Sequence, residues 1–297
     1  MERINYSTCP ACGSADIAFK LAAKDFTVSQ EEFPIWQCGS CSLRFTQQVP
    51  VQERIGKYYK AENYISHTDT RAGFVNALYH RIRKRTLRTK EQLVKKDTGR
   101  SAGRLLDIGA GTGAFCHHMK EAGWNITGLE PDEATRLKAV ELYGMELGAA
   151  ENLFGLSPRS YDAVTLWHVL EHVHALHDYL EKIREILAPG GKAFVAVPNW
   201  TSYDASVYGK FWAAYDVPRH LYHFSPAAMH RLLNGHGFTL VATKPMWYDS
   251  FYVSMLSEQY RKGKLGFLRA VPVGLVSNAK ALFNKGRCSS VIYVASV

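Results

Sequence analysis

Residues Leu105-Leu106-Asp107-Ile108-Gly109-Ala110-Gly111-Thr112-Gly113 constrain this chain more than any other stretch. A short apolar run passes through three alternating glycines into the amphipathic segment Ala114 to Ala122, which is expected to be helical. Strand, glycine turn and helix start together form a cradle for a small ligand. Glycine lets the backbone approach the ligand, and the free N–H groups at the helix start attract polar or anionic groups. Asp107 stands two residues before the first glycine, where a carboxylate can take an ammonium group. A second apolar run, Trp124 to Leu129, ends on Glu130, where a carboxylate can accept both hydroxyls of a ribose. Dinucleotide-binding proteins carry a similar turn, and their fingerprint wants glycine, or sometimes alanine, at position 114, where this chain has Ala114.

The run D-I-G-A-G-T-G followed by G-L-E-P-D resembles the class I S-adenosylmethionine-dependent methyltransferases. The resemblance implies an α/β fold, a Rossmann-like seven-stranded sheet with helices on both faces. It also implies that Asp107, Gly109, Gly111, Gly113, Glu130 and Pro131 bind S-adenosylmethionine. Many relatives have Asp at the position of Ala149, so adenine contacts pass to Ala150, Glu151 or backbone groups. Similar methyltransferases fold an N-terminal helix over the cofactor, which makes Tyr64, Ser66 and His67 candidates for its methionine end. The competing role for those three is capping the helix that follows.

Residues 1–48 form a separate unit. Cys9-Pro-Ala-Cys12 and Cys38-Gly-Ser-Cys41 are two C-x-x-C knuckles separated by 25 residues. Four thiolates so spaced close a tetrahedral structural zinc site, and a ribbon this small needs such a staple. Cys116 and Cys288 read as ordinary buried thiols. Residues 49–100 read as a helical connector or lid, with Phe74, Leu78 and Ile82 on one apolar face. Residues 101–297 read as the cofactor-binding domain.

Within that domain Asp132 to Tyr143 is a predicted helix closed by Gly144, and Met145 to Leu147 a short third strand. Tyr161 to Trp167 is a nearly continuous apolar strand, the expected central one. At its end comes W-H-V-L-E-H-V, which resembles the post-strand motif of a ubiquinone-biosynthesis-like subfamily. Trp167 and His168 therefore join the candidate cofactor contacts. His168, Glu171 and His172 are spaced to share a helical face. Leu176 to Leu187 is an amphipathic helix, Pro189-Gly190-Gly191 a turn, and Lys192 to Val197 a fifth strand. The aromatic insertion 200–224 brings Arg219, His220, Tyr222 and His223 close together and is either the acceptor pocket or a packed subdomain whose histidines are hydrogen-bonded structurally. Candidate bases are His168, His172, His220, Tyr222 and His223. Ser225 and Pro226 start a helix. Phe238 to Met246 and Ser290 to Ser296 are the expected last strands, enclosing a basic helical insertion.

The net charge of +9 resides in two segments. Arg71 to Lys96 holds nine Lys/Arg against Glu91 alone, and Arg261 to Val297 holds seven with no acid. Such surfaces suit RNA, nucleotide-linked substrates or acidic lipid headgroups, or are simply solvated faces. No apolar run is long enough for a membrane span, no secretory leader is evident, and cysteine usage suits a reducing cytoplasm. The expected activity is methyl transfer from S-adenosylmethionine to a small-molecule acceptor, a metabolite or nucleotide-linked sugar. The alternatives are an RNA methyltransferase that uses ribbon and basic helix, and a non-catalytic zinc-ribbon binding module. Oligomeric state is not legible.

Overall fold

The structure is a computed structural model that describes residues 2–59, 74–263 and 267–297. Tyr64, Ser66 and His67 lie outside the described residues.

Five short strands open the chain: β1 (Arg3–Ile4), β2 (Ile17–Lys24), β3 (Glu32–Cys38), β4 (Arg44–Thr46) and β5 (Val49–Pro50). Helices α1 (Gln52–Ile55) and α2 (Phe74–Thr98) follow. Strands and helices then alternate through β6 (Arg104–Ile108), α3 (Ala114–Glu121), β7 (Asn125–Leu129), α4 (Glu133–Tyr143), β8 (Tyr161–Trp167), α5 (Leu176–Ile186) and β9 (Leu187–Pro198). The remainder comprises α6 (Tyr203–Tyr208), β10 (Tyr222–His223), α7 (Pro226–Gly235), β11 (Thr239–Pro245), α8 (Asp249–Lys262), α9 (Phe267–Phe283) and β12 (Ser290–Ser296).

The main sheet has the order β11-β12-β9-β8-β6-β7. Strand β6 pairs in parallel with β7 and with β8, which sets Asp107 opposite Gly128 on one side and Thr165 on the other. The parallel core is buried on both faces, so β8 and the end of β9 read as continuous apolar runs. The sheet has six strands rather than the expected seven. The missing one is Met145 to Leu147. That segment is squeezed between the left-handed cap Gly144 and a 3₁₀ turn at Ala150–Gly155, and a single bridge, Leu129 to Gly148, falls just after it. Strand β9 also begins earlier than Lys192. It takes in the expected turn at Pro189–Gly191, with Gly190 at φ +79°.

Local chemistry explains the helix ends. Asp132 accepts the Thr135 N–H at 2.8 Å to start α4, and Ser225 accepts the Ala228 N–H at 3.0 Å to start α7 behind Pro226.

The N-terminal strands form a second sheet of order β10-β4-β3-β2. Strand β10 comes from the aromatic insertion, and Tyr222 pairs with Phe45. The ribbon sheet is thus completed by residues far along the chain. Phe33 and Ile35 of β3 share a core with Tyr208, Trp212, Tyr215 and Val217.

Two compact units result. One takes the described residues up to Tyr59 with His168–Leu180 and Val195–Tyr293; the other takes Phe74 to Trp167 with Glu181–Phe194 and Val294–Val297. Among the described residues no helix is long and apolar enough to cross a membrane.

Candidate functional site

The glycine cradle lies in the second unit. Gly109, Gly111 and Gly113 adopt φ of +71°, +55° and +77°, a region that side chains oppose. Gly109 and Ala110 donate their N–H groups to the Leu129 carbonyl at 2.8 and 2.9 Å, which binds the turn to the end of β7. Glu130 is buried. Its carboxylate accepts the Gly111 N–H at 2.9 Å and the Asp132 N–H at 3.1 Å. Asp107, at 1% exposure, accepts the Thr165 hydroxyl at 2.6 Å, and the Cys116 thiol lies 3.6 Å from its other oxygen. Burial raises the Asp107 pKa to about 6, against the opposing pull of Thr165 and the charge of Lys90. Burial likewise raises Glu130, opposed by the N–H groups of Asp132 and Gly111. Trp167 ends β8 with Phe115 edge-on at 5.6 Å and the Lys90 ammonium 4.2 Å above its ring. Pro131 directly follows Glu130. Ala150 is half-buried, and Glu151 is exposed at the start of the 3₁₀ turn.

A second constellation lies in the first unit and starts at His168, the residue after Trp167. The segment His168 to Val173 is a turn, not the helix its spacing suggested, and His168 holds φ +59°. Left-handed backbone of this kind marks a constrained position in a non-glycine residue. His168 Nδ1 lies 3.3 Å from Glu171 Oε1, and its Nε2 lies 3.0 Å from Asp249 Oδ2. Burial opposes charge on this imidazole, but the two carboxylates outweigh it and lift the pKa to about 10. His168 is therefore an imidazolium at neutral pH and has no lone pair with which to take a proton. That removes it from the candidate bases as the site stands.

His172 behaves oppositely. Burial, with the nearby His220, drops its pKa to about 4. Its Nδ1 lies 3.1 Å from the Arg219 carbonyl and 3.0 Å from the Tyr59 hydroxyl. His220 places Nδ1 2.9 Å from the Ala214 carbonyl. A carbonyl only accepts, so both rings carry a proton on Nδ1, and the neutral His172 keeps its Nε2 lone pair available, while His220 Nε2 lies 4.0 Å from Asp216 Oδ2. The two rings stand edge to face, 4.5 Å apart. One ligand atom each from Glu171, His172 and His220 lies within 4.8 Å of the others, a donor set suited to a divalent cation. Glu171 Oε2 is buried with no hydrogen-bond partner among the described residues.

Three insertion residues are committed to contacts within the framework. Arg219, at 1% exposure, donates Nε and Nη2 to Asp216 at 3.0 and 2.6 Å, Nη2 also to Asp25 at 3.1 Å, and Nη1 to the Tyr58 carbonyl at 2.7 Å. Its fork braces the ribbon and cannot grip an acceptor. His223 is buried in β10 with Nε2 3.1 Å from the Thr46 hydroxyl, and burial holds its pKa well below the usual value. Tyr222 donates to the His174 carbonyl at 3.3 Å, and burial raises its pKa well above the usual value. Both are framework groups. Asp249, Asp216 and Tyr59 complete the cluster and had no local sequence signal.

Known proteins bear on these sites. A family model described as a methyltransferase domain matches residues 77–243, more than half of the chain. The chain belongs to the methyltransferase domain family. It is an S-adenosylmethionine-dependent methyltransferase, which sets aside the dehydrogenase and non-catalytic alternatives. It is 29% identical to a ubiquinone biosynthesis O-methyltransferase of Maricaulis maris over 54% of this chain and 66% of that protein. It is 30% identical to the Aeromonas salmonicida enzyme of the same name over 58% of this chain and 76% of that one. A solved methyltransferase from Archaeoglobus fulgidus is 18% identical with a TM-score of 0.45, covering 73% of this chain and 99% of that one.

The methyltransferase carries its four knuckle cysteines outside the matched region. The sulfurs of Cys9 and Cys41 lie 3.6 Å apart, those of Cys12 and Cys38 3.7 Å, and all four within 4.8 Å. The first knuckle closes with Gly13 at φ +71°, its N–H donated to the Cys9 carbonyl at 2.9 Å. In the second, Gly39 lets the backbone pass Asp16, whose carboxylate oxygen would lie 2.1 Å from any Cβ there. The left-handed residue of that turn is Ser42, at φ +63°.

Proposed function

We propose that this methyltransferase O-methylates a small-molecule acceptor and that the histidine cluster serves the acceptor. The carrying observation is the tautomer pattern. His172 and His220 each spend Nδ1 on a backbone carbonyl, and burial keeps the His172 ring neutral with Nε2 as a proton acceptor. In-line displacement at a sulfonium methyl needs the acceptor oxygen aligned and its proton removed. The neutral His172 imidazole meets that need, and the His168 cation beside it stabilises oxyanion character as it develops. Asp107 and Glu130 would take the ammonium and ribose ends of S-adenosylmethionine, with Gly109, Gly111 and Gly113 against its backbone. The relatives named for ubiquinone biosynthesis are O-methyltransferases, which supports a hydroxyl acceptor; a nucleotide-linked sugar presents the same group.

The cysteine site is assigned to structural zinc. A tetrahedron with a Zn–S bond of about 2.3 Å has sulfur–sulfur edges of about 3.8 Å, close to the two distances found. Four thiolates leave no open position for chemistry. Reduced thiols of this kind suit a reducing compartment such as the cytoplasm.

The test is release of S-adenosylhomocysteine with phenolic acceptors, nucleotide-linked sugars and RNA supplied separately. His172→Ala and His220→Ala should lower kcat by about 10²–10⁴-fold with S-adenosylmethionine affinity unchanged. Turnover on RNA alone, or full activity in both variants, would overturn the assignment.

A further inference from the structure

Helix α9 has a finished side and an unfinished one. Ala270, Val273, Ser277 and Ala281 face inward and are buried. The Ser277 hydroxyl donates to buried Asp204 at 2.6 Å, and Asn278 donates to the Trp247 carbonyl at 2.8 Å. Gly274 allows close packing on α8, since a Cβ there would lie 2.7 Å from the Phe251 ring. These contacts fix the helix without help from its other face. That other face carries Leu268, Val271, Leu275, Val276, Leu282 and Phe283, between 40% and 93% exposed. A surface helix normally turns charge to solvent, and a face this apolar along its whole length marks an interaction surface.

The charge around this face selects the occupant. From Arg261 to the last residue the sequence has seven Lys/Arg and no Asp or Glu. Lys280 is exposed on α9 itself, Arg269 is exposed there but lies 3.8 Å from buried Glu258, and Lys285 and Arg287 are exposed directly after the helix. We propose that the outer face of α9 docks on an anionic lipid surface. The helix lies in the plane of the headgroups, with its leucines and Phe283 inserted and its cations on the lipid phosphates. The helix is 17 residues long, about 25 Å at 1.5 Å per residue, and acts from the surface rather than by spanning. Self-association explains the face less well. A two-fold contact sets a patch against its own copy, so Arg269, Lys280 and Lys285 would meet the same cations.

The full-length chain is mixed with phosphatidylcholine vesicles with and without phosphatidylglycerol, and the sedimenting fraction is measured. The expected result is binding to the anionic vesicles that weakens as salt is raised. L275E/L282E should reduce it at least about tenfold, and K280E/K285E should reduce it while flattening the salt dependence. Both variants alter exposed positions, and unchanged melting temperature and S-adenosylmethionine affinity would show that the loss is local. No sedimentation with anionic vesicles, or equal binding by L275E/L282E, overturns the proposal. So does equal binding to uncharged vesicles, or a dimer in light scattering that needs Leu275 and binds no lipid. None of these outcomes depends on the acceptor, so the proposed methylation stands or falls separately.

Discussion

Asp107 and Glu130 of the glycine cradle and Glu171 of the histidine cluster are all hidden from water, yet burial wins in one place and loses in the other. Asp107 is pushed up to about 6 and Glu130 is also raised; their partners are a hydroxyl, a thiol and backbone N–H groups. Burial would raise Glu171 and Asp216 too, but His168 holds Glu171 below the ordinary range and Arg219 does the same for Asp216. The cluster supplies its own cations, and among the described residues Glu171 Oε2 is its one buried carboxylate oxygen left without a hydrogen-bond partner. The cradle has hydrogen bonds for its carboxylates, while the charges of Lys90 and Arg136 reach them only through space. A ligand that brings an ammonium group and hydroxyls gains most from the cradle, and S-adenosylmethionine brings both. A neutral acceptor gains most from the cluster, which offers lone pairs beside a fixed cation.

The widest gap between the two regions should come from the cysteine site. Cys38→Ser removes one of four thiolates, and structural zinc in small domains contributes on the order of 10 kcal/mol or more. The ribbon sheet holds the insertion in place. The Thr46 hydroxyl donates to the His220 carbonyl at 2.8 Å, and the Thr46 N–H donates to the Leu221 carbonyl at 2.9 Å. The variant should lose methyl transfer and bound zinc while the cradle still binds S-adenosylmethionine by calorimetry. If cofactor binding fell equally, the two regions would not be separable as described.

Arg219→Leu comes next. It strands buried Asp25 and half-buried Asp216, and breaking a buried ion pair from one side costs about 3–5 kcal/mol. Denaturant unfolding should show a loss of that size. Arg219→Lys should recover only part of it, since a point charge cannot reproduce the fork. A near-neutral Arg219→Leu would mean that the fork is not the brace its hydrogen bonds suggest.

Asp107 gives the contrast its pH signature. An ordinary Asp titrates near 4, and this one near 6. Between those values the folded state keeps a proton that the unfolded state has released. Stability therefore falls as pH rises from about 4 to about 6 and is flat above, a loss of about 3 kcal/mol. Asp107→Asn should abolish that slope and melt higher than wild type at pH 8, yet lose the stabilisation that S-adenosylmethionine confers. A slope that survives the substitution would place the titrating group elsewhere.

The same contrast explains what could be read from the sequence. The cradle is local: Asp107, three glycines and Glu130 occupy one strand–turn–helix–strand unit, so adjacency in sequence fixed adjacency in space. Strand Tyr161–Trp167 and the Ser225–Pro226 helix start were legible for the same reason. The cluster is assembled from distant segments. Asp249 is 81 residues from His168, and Asp25 is 194 from Arg219, and neither has a local pattern. Arg219 looked like a ligand clamp because its partners were invisible. The spacing of His168, Glu171 and His172 suggested a helix, and only backbone geometry reveals a left-handed turn there. The expected third strand failed for a related reason: its apolar residues suit a strand, but the turn at Ala150 leaves room for one bridge.

The smallest effect belongs to Gly113, and it probes how far the cradle's precision depends on glycine. The residue caps α3 at φ +77°, and an added Cβ would sit 3.2 Å from the Ala139 Cβ and 3.5 Å from the Met145 Cβ. Left-handed backbone costs a non-glycine residue about 1–2 kcal/mol, and these neighbours belong to a buried cluster with little room to move. Gly113→Ala should lower the melting temperature by a few degrees and weaken S-adenosylmethionine binding by about tenfold, the equivalent of about 1.4 kcal/mol. If the imidazoles titrate independently of the cradle, the pH profile of turnover at saturating cofactor should keep its shape. A shifted profile would show that the backbone of the cradle tunes the imidazoles after all, and the two regions would then have to be treated as one electrostatic unit.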